Sequence, residues 1–239
     1  MLLFYIRHGD PIYNPNQLTP LGKRQAEAVA KRLALYGLDH IYSSDSNRAL
    51  ETAIPTSELL KKEIEQLPWC NESLAFKDFS VYNPEYDKKT WCWSNAEYRT
   101  FFNSKEIRDL GMEWYRHPTF KDLPFEAGIK RIQAEVDALM AKWGYVHDPE
   151  NCCYIAERPN DSRIALFAHE GFGKAFMSCL LDIPYPLLST RLDLGHSQFS
   201  VIEFPNSVGN VIPHILQYSN DSHLYREGLP TNYQNRVRF

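Results

Sequence analysis

The chain has 239 residues, 44% of them hydrophobic and 23% charged, which is enough apolar material for one large globular domain or two small ones. A formal net charge of −4 argues against a broadly basic, nucleic-acid-binding face, so an anionic ligand would need a local cluster of cations. No apolar run reaches membrane-span length and the opening one is too short for a signal-peptide core, so a cytoplasmic protein is expected, with Cys70, Cys92, Cys152, Cys153 and Cys179 reduced and lacking the C-x-x-C spacing of a zinc site.

Residues 1–6 (MLLFYI) are short, continuous and apolar, as in a strand buried on both faces of a parallel sheet. Thr19 and Pro20 read as N-cap and first helical position. Ala26, Val29, Ala30 and Leu33 follow at helical spacing, and Gly37 supplies a stop. Residues 40–43 predict a second short strand. A helix should start near Ser46 with Ala49, Leu50 and Ala53 on one side, and Pro55 should kink or break it. Residues 64–67 suit a third strand. The β-α-β-α-β order predicts an α/β fold: three layers, a mainly parallel sheet with helices on both faces.

Residues 69–161 carry few strand signals and read as a largely helical insertion. Within it, Ser94-Asn95-Ala96-Glu97 resembles a capping box. Ile129, Ile132, Val136, Leu139 and Trp143 step by three and four residues towards Gly144, an amphipathic helix. Residues 148–161 are polar and predict a loop. The apolar run IALFA at 164–168 then predicts another buried strand, followed by a helix carrying Phe176, Cys179 and Leu180 that closes before Pro184. Residues 198–204 and 211–218 predict an antiparallel hairpin, with Pro213 on an edge strand. The polar, aromatic tail at 219–239 gives no structural signal. One domain over 1–239 is expected.

Two apolar strands far apart in sequence thus end in histidine, at Arg7-His8-Gly9 and His169-Glu170-Gly171. Ligands of open α/β sheets bind beyond the carboxyl ends of the strands, so His8 and His169 should face one crevice. Arg48, in the first turn after the second strand, should reach the same end. Arginine suits phosphate because its planar fork donates bidentately and keeps its proton. Burial and neighbouring arginines both favour a neutral imidazole. A neutral ring can attack phosphorus and carry it covalently while the cations hold the equatorial oxygens.

These residues carry a resemblance. Arg7-His8-Gly9 with Asn14, Leu18-Thr19-Pro20-Leu21-Gly22, Ser43-Ser44 with Arg48-Ala49 and Glu51-Thr52-Ala53, and the late His169 resemble the histidine phosphatase superfamily, in its phosphoglycerate-mutase-like branch. The resemblance covers roughly residues 1–55 and 164–181. It implies a mainly parallel sheet flanked by helices, a nucleophile at His8, a phosphate pocket completed by Arg7, Arg48 and His169, and no metal or cofactor. It places Asn14 and Thr19 at substrate or phosphate contacts. The proton donor is expected at Glu72, with Glu170 as the rival acid. Asp10 and Glu170 stand where the branch usually has Glu or Gln and Gly.

His196 and Arg191 read as structural more than as pocket residues. The rings of Trp91, Trp93, Phe101, Phe102, Trp114 and Tyr115 read as core, or as an apolar lid. The expected activity is metal-independent hydrolysis of a small phosphorylated substrate. Phosphoglycerate-mutase-type transfer is the alternative, and a non-catalytic phospholigand sensor the lesser one. Neither a nucleic-acid nor a membrane partner is expected.

Overall fold

The computed structural model describes residues 1–231. The expected domain over 1–239 and the tail at 219–239 reach past them, since 232–239 lie outside the described residues.

β1 (Leu2–Arg7) is the run LLFYIR, buried through its middle four residues. The short pair β2 (Pro11–Ile12) and β3 (Gln17–Leu18) leads into α1 (Pro20–Ala34). Thr19 caps that helix, its Oγ1 accepting from Gly22 N at 3.0 Å, which satisfies one of the orphan donors of a first turn. β4 (His40–Ser43), α2 (Asn47–Leu60) and β5 (Ile64–Gln66) follow. α2 runs through Pro55 without interruption, so the expected break does not occur. One backbone hydrogen bond is lost there, but burial of Ala49, Thr52, Ala53 and Thr56 along the helix outweighs it.

The insertion holds α3 (Glu72–Phe79), β6 (Ser80–Asn83), β7 (Lys88–Trp91), α4 (Ala96–Phe102), α5 (Lys105–Asp109) and α6 (Phe125–Lys142). β8 (Tyr145–Asp148) and β9 (Cys153–Ala156) close it. It is therefore less purely helical than expected. β7 reads KKTW and leans on its pairing with β6, so no apolar alternation announces it. β9 falls in the stretch 148–161 expected to be loop. Its polar flanks hide a four-residue strand that pairs with β8 on one side and with a later strand on the other. α4 is capped by Asn95, whose Oδ1 accepts from Glu97 N and Tyr98 N at 3.0 and 3.1 Å. The Ser94 hydroxyl instead donates to Trp91 O at 2.8 Å, so the cap sits one residue later and, with Tyr98 at N3, no capping box forms.

β10 (Arg163–Ala168), α7 (Glu170–Leu181) and α8 (Tyr185–Ser189) are followed by β11 (Phe199–Glu203), β12 (Gly209–Val211), β13 (His214–Asn220) and α9 (Ser222–Arg226). β11 and β13 pair antiparallel as expected, but residues 209–211 leave that hairpin and pair with β9. Pro213 lies in the connection where the chain changes sheets, just before the edge strand β13. A residue that cannot donate to a ladder fits there.

The main sheet has the order β13-β11-β1-β10-β4-β5, with β1, β10, β4 and β5 mutually parallel. Period-two alternation sends its side chains into two cores. Phe4, Ile6, Ala165 and Phe167 pack with Val29, Leu33 and Ala53 of α1 and α2. Leu3, Tyr5, Leu166 and Ala168 pack with residues of α6 and α7 on the other face. The fold is the expected three-layer α/β arrangement. Among the described residues no helix is long and apolar enough to cross a membrane.

Candidate active site

β1 and β10 are neighbours and parallel, so the residues that follow them leave the sheet at the same end. The His8 and His169 ring centroids lie 5.2 Å apart, edge to face. β4 lies beside β10 and delivers Ser44 and the first turn of α2, with Arg48, to that end. The turn after β1 is pressed onto the start of α1. A Cβ on Gly9 would lie 2.7 Å from Gly22 O, and one on Gly22 would lie 2.2 Å from Asp10 O. Gly9 N also donates to Thr52 Oγ1 at 3.0 Å, which ties the turn to α2.

His8 is 2% exposed. Its Nδ1 donates to Gly9 O at 2.8 Å, which leaves Nε2 with the lone pair. Burial, then His169, Arg7 and Arg48, hold the ring's pKa well below the usual histidine value, so it is neutral near pH 7. His169 is fully buried, and the same arginines, after burial, keep it neutral too. Ser46 N donates to Ser44 Oγ at 3.3 Å, which frees the Ser44 hydroxyl proton for His169 Nε2 at 3.0 Å. His169 Nδ1–H then remains buried without a partner.

Arg7 is held on three sides. Nη1 donates to Leu194 O at 2.5 Å and pairs with Glu170 Oε2 at 2.7 Å, and Nη2 meets His196 Nε2 at 2.8 Å. His196 also stacks over His8 at 5.5 Å, and burial followed by the two arginines lowers its pKa to about 3. It therefore accepts from Arg7 as a neutral ring. Arg48 is 9% exposed, and among the described residues no carboxylate lies within 4 Å of it. Its Nη1 donates to the neutral Asn16 Oδ1 at 3.0 Å, and Tyr13 lies under its guanidinium at 5.5 Å. A buried, unpaired guanidinium is costly, and an incoming anion would remove that cost.

Two carboxyls share the site. Glu72, the first residue of α3, accepts from Gly171 N at 3.0 Å and Phe172 N at 2.8 Å, the exposed donors of the first turn of α7. Burial pushes its pKa up, against those two bonds and the arginines. Glu170, 8% exposed, is also pushed up by burial but sits between Arg7 and Lys174, the latter at 3.6 Å. Arg7, His8, Arg48, Glu72 and Glu170 line one cavity of about 690 Å³, and His169 backs His8. Among the described residues no group of three or more His, Cys, Asp or Glu side chains is placed to hold a metal ion.

The sequence profile of the histidine phosphatase superfamily (branch 1) matches residues 3–212. The chain belongs to this superfamily. It is 26% identical over 147 residues to "Putative phosphoserine phosphatase 2" of Hydrogenobacter thermophilus, a match covering 58% of this chain and 64% of that one. It is 37% identical over 60 residues to "Probable phosphoglycerate mutase GpmB" of Yersinia enterocolitica, covering 21% and 28%. The matched stretches thus span less than two thirds of these relatives. The fold matches a phosphoserine phosphatase of Entamoeba histolytica, solved with 3-phosphoglyceric acid, at a TM-score of 0.57 and 20% identity, over 93% of this chain and 98% of that one.

In this member of the superfamily the structure gathers Arg7, His8, Arg48, Glu72 and His169, but not every candidate. Thr19 caps α1 and donates to Asp10 Oδ2 at 2.7 Å, and neither it nor the exposed Asn14 is among the residues lining the cavity. Asn16, two positions on, is the asparagine that reaches the site. Arg191 is exposed and bonds to Leu187 O within its own segment. The sequence reading missed Asn16 and Tyr13. No local pattern marks them, because a loop residue's direction is set by the β2–β3 pair. Ser44, in the Ser43-Ser44 pair, is the residue that meets His169. Of the aromatic group, Phe102 and Trp114 are core, whereas Trp91 and Trp93 line the cavity.

Proposed function

We propose that this chain hydrolyses phosphate monoesters through a phosphohistidine on His8. The observation that carries the reading is the His8 ring: neutral, its Nδ1–H spent on Gly9 O, with Nε2 left as a lone pair beside Arg7, Arg48 and His169. In the first step Nε2 bonds to phosphorus as the ester P–O bond breaks, and the leaving alkoxide takes a proton from Glu72. Arg48 and the unpartnered Nδ1–H of His169 hold the equatorial oxygens, where charge shifts in the transition state. Water then attacks phosphorus, giving its proton to the Glu72 carboxylate, and the P–N bond breaks to release phosphate and the neutral ring.

Glu72 is the better donor on geometry. One Glu170 oxygen is committed to Arg7 at 2.7 Å and the other faces Lys174, so Glu170 acts as a brace for Arg7. Among the described residues Glu72 has only backbone N–H groups within bonding distance, and burial raises its pKa above the usual carboxylate value.

Mutase-type transfer needs further cations for a second phosphate or carboxylate. Among the described lining residues the formal cations are Arg7 and Arg48, which favours water as the acceptor. The proposal includes a cytoplasmic location, which suits the buried thiols Cys70, Cys92, Cys153 and Cys179.

The test is phosphate release from a panel of phosphomonoesters by wild type and His8→Ala, with acid- and base-quenched phosphoenzyme. We expect a base-stable, acid-labile phosphoenzyme that His8→Ala abolishes together with turnover. Turnover that survives His8→Ala refutes the proposal. Interconversion of phosphoglycerates with little phosphate release makes the chain a mutase. No turnover, with thermal stabilisation by vanadate, makes it a sensor.

A further inference from the structure

Beyond the phosphoryl end, the cavity wall is built from rings that the insertion supplies. Trp91 lies at the end of β7, Trp93 follows in the short turn Cys92–Ser94, and Phe76 comes from α3. The two indoles stack at 6.0 Å and 22°, and Phe76 meets Trp91 edge to face at 5.1 Å. The wall is held rigidly. The Trp91 ring lies so close to Gly171 that a Cβ there would come within 2.3 Å of it. Glycine at 171 therefore lets the indole sit directly on the first turn of α7, whose amides hold Glu72.

Glu72 and Phe76 are four residues apart on α3 and so share a face of that helix, one turn or about 5.4 Å apart. A leaving group that takes its proton from Glu72 must therefore run alongside Phe76 and the indoles. Among the described residues the same region offers no further cation to a carboxylate. Among the described lining residues the cations are Arg7 and Arg48, and both are spent at the phosphoryl end. Lys174 lies behind Trp93, 4.3 Å from its ring. Its three protons go to Ser189 O, Leu192 O and Asp193 Oδ1, so it has none to offer a ligand.

Resting on the hydrolytic reading above, we infer that the substrate is a phosphate monoester of an uncharged alcohol carrying an aromatic or similarly flat apolar group close to the ester oxygen, and not a phosphorylated carboxylic acid. Flat apolar groups bind such a wall by stacking and by burial of apolar surface, whereas a carboxylate would lose its hydration with no cation among the described lining residues to replace it.

The test compares alkyl esters, so that leaving-group chemistry is similar: benzyl phosphate, glycerol 3-phosphate and 3-phosphoglycerate. We expect kcat/KM for benzyl phosphate to exceed that for each of the others at least tenfold. Phe76→Ala and Trp91→Ala should each cut the benzyl-to-glycerol ratio at least fivefold, through KM. Phe76→Leu and Trp91→Leu replace them if the alanine variants lose a cooperative melt. A preference for 3-phosphoglycerate, or an unchanged ratio in the folded variants, overturns the inference. Calorimetric binding of benzylphosphonate and 3-phosphonopropionate separates this inference from the hydrolytic reading. If no ester is hydrolysed but benzylphosphonate binds at least tenfold tighter, the reading fails and the inference stands. Equal or reversed affinities, or no binding of either, overturn the inference.

Discussion

Replacing Glu72 by glutamine tests the assignment of the proton donor. The carboxylate spans two amides, Gly171 N and Phe172 N, at 3.0 and 2.8 Å. Glutamine keeps one acceptor and turns an NH2 towards the other amide, so one buried bond is lost at a cost of about 1–3 kcal/mol. The desolvation that raises the Glu72 pKa disappears with the charge and offsets part of that cost, so the fold survives. Catalysis should suffer more. Positioned acid catalysis contributes about 10²–10⁴-fold, or roughly 3–5 kcal/mol.

The loss should depend on the leaving group. An alkoxide needs the proton and 4-nitrophenolate does not. The quantity to measure is kcat/KM, which reports steps up to phosphoenzyme formation and is blind to the water step in which Glu72 acts as base. We expect Glu72→Gln to lower kcat/KM for benzyl or glycerol phosphate by about 10²–10⁴-fold and for 4-nitrophenyl phosphate by less than about tenfold. Equal losses on both esters would refute the assignment. So would a leaving-group-selective loss in Glu170→Gln, which should instead slow both esters alike by loosening Arg7.

Three further outcomes follow from the packing. The His147 side chain is 4% exposed and lies 3.0 Å from Asp137 and 3.2 Å from Asp182, which outweigh burial and raise its pKa to about 9. Its contribution, at most about 3 kcal/mol, should be complete below the unfolded value near 6.5 and lost as pH rises through 9. Urea unfolding of wild type and His147→Asn between pH 6 and 10 measures it, and identical pH dependence in both disproves it. Gly22→Ala puts a Cβ against Asp10 O and should cost about 1–3 kcal/mol while shifting the His8 turn; a wild-type melting temperature with full turnover would contradict this. Thr19→Ala removes the α1 cap and should lower stability by about 1 kcal/mol, read by thermal melts. A rise in KM with no stability change would instead make Thr19 a ligand contact.

Legibility followed the range of each interaction. The strands ending in His8 and His169 could be read because a buried parallel strand needs a continuous apolar run, and a cationic residue at its end breaks that run visibly. The helices at α1, α6 and α7 announced themselves through period and caps. β7 and β9 did not, because these four-residue strands carry no clear alternation of their own and are held by pairing, β7 with β6 and β9 with β8 and the distant β12. Pro55 was expected to kink or break α2, and burial of the helix face carries the helix through it unbroken. The asparagine at the site is Asn16 and not Asn14, a difference of direction within one loop.

The amino-acid sequence alone determined the α/β class, the main strands and helices that carry the site, and the placing of Arg7-His8, Arg48 and His169 just after apolar strands. Those features rest on residues within a few positions of one another. Only the tertiary structure decided that Glu170 braces Arg7 across 163 residues of chain and that Glu72 sits on the amides of α7. It alone showed that Trp91, Trp93 and Phe76 wall the cavity. Such contacts are made between elements distant in sequence, where charge, burial and direction are set by the partner and leave no trace in local pattern.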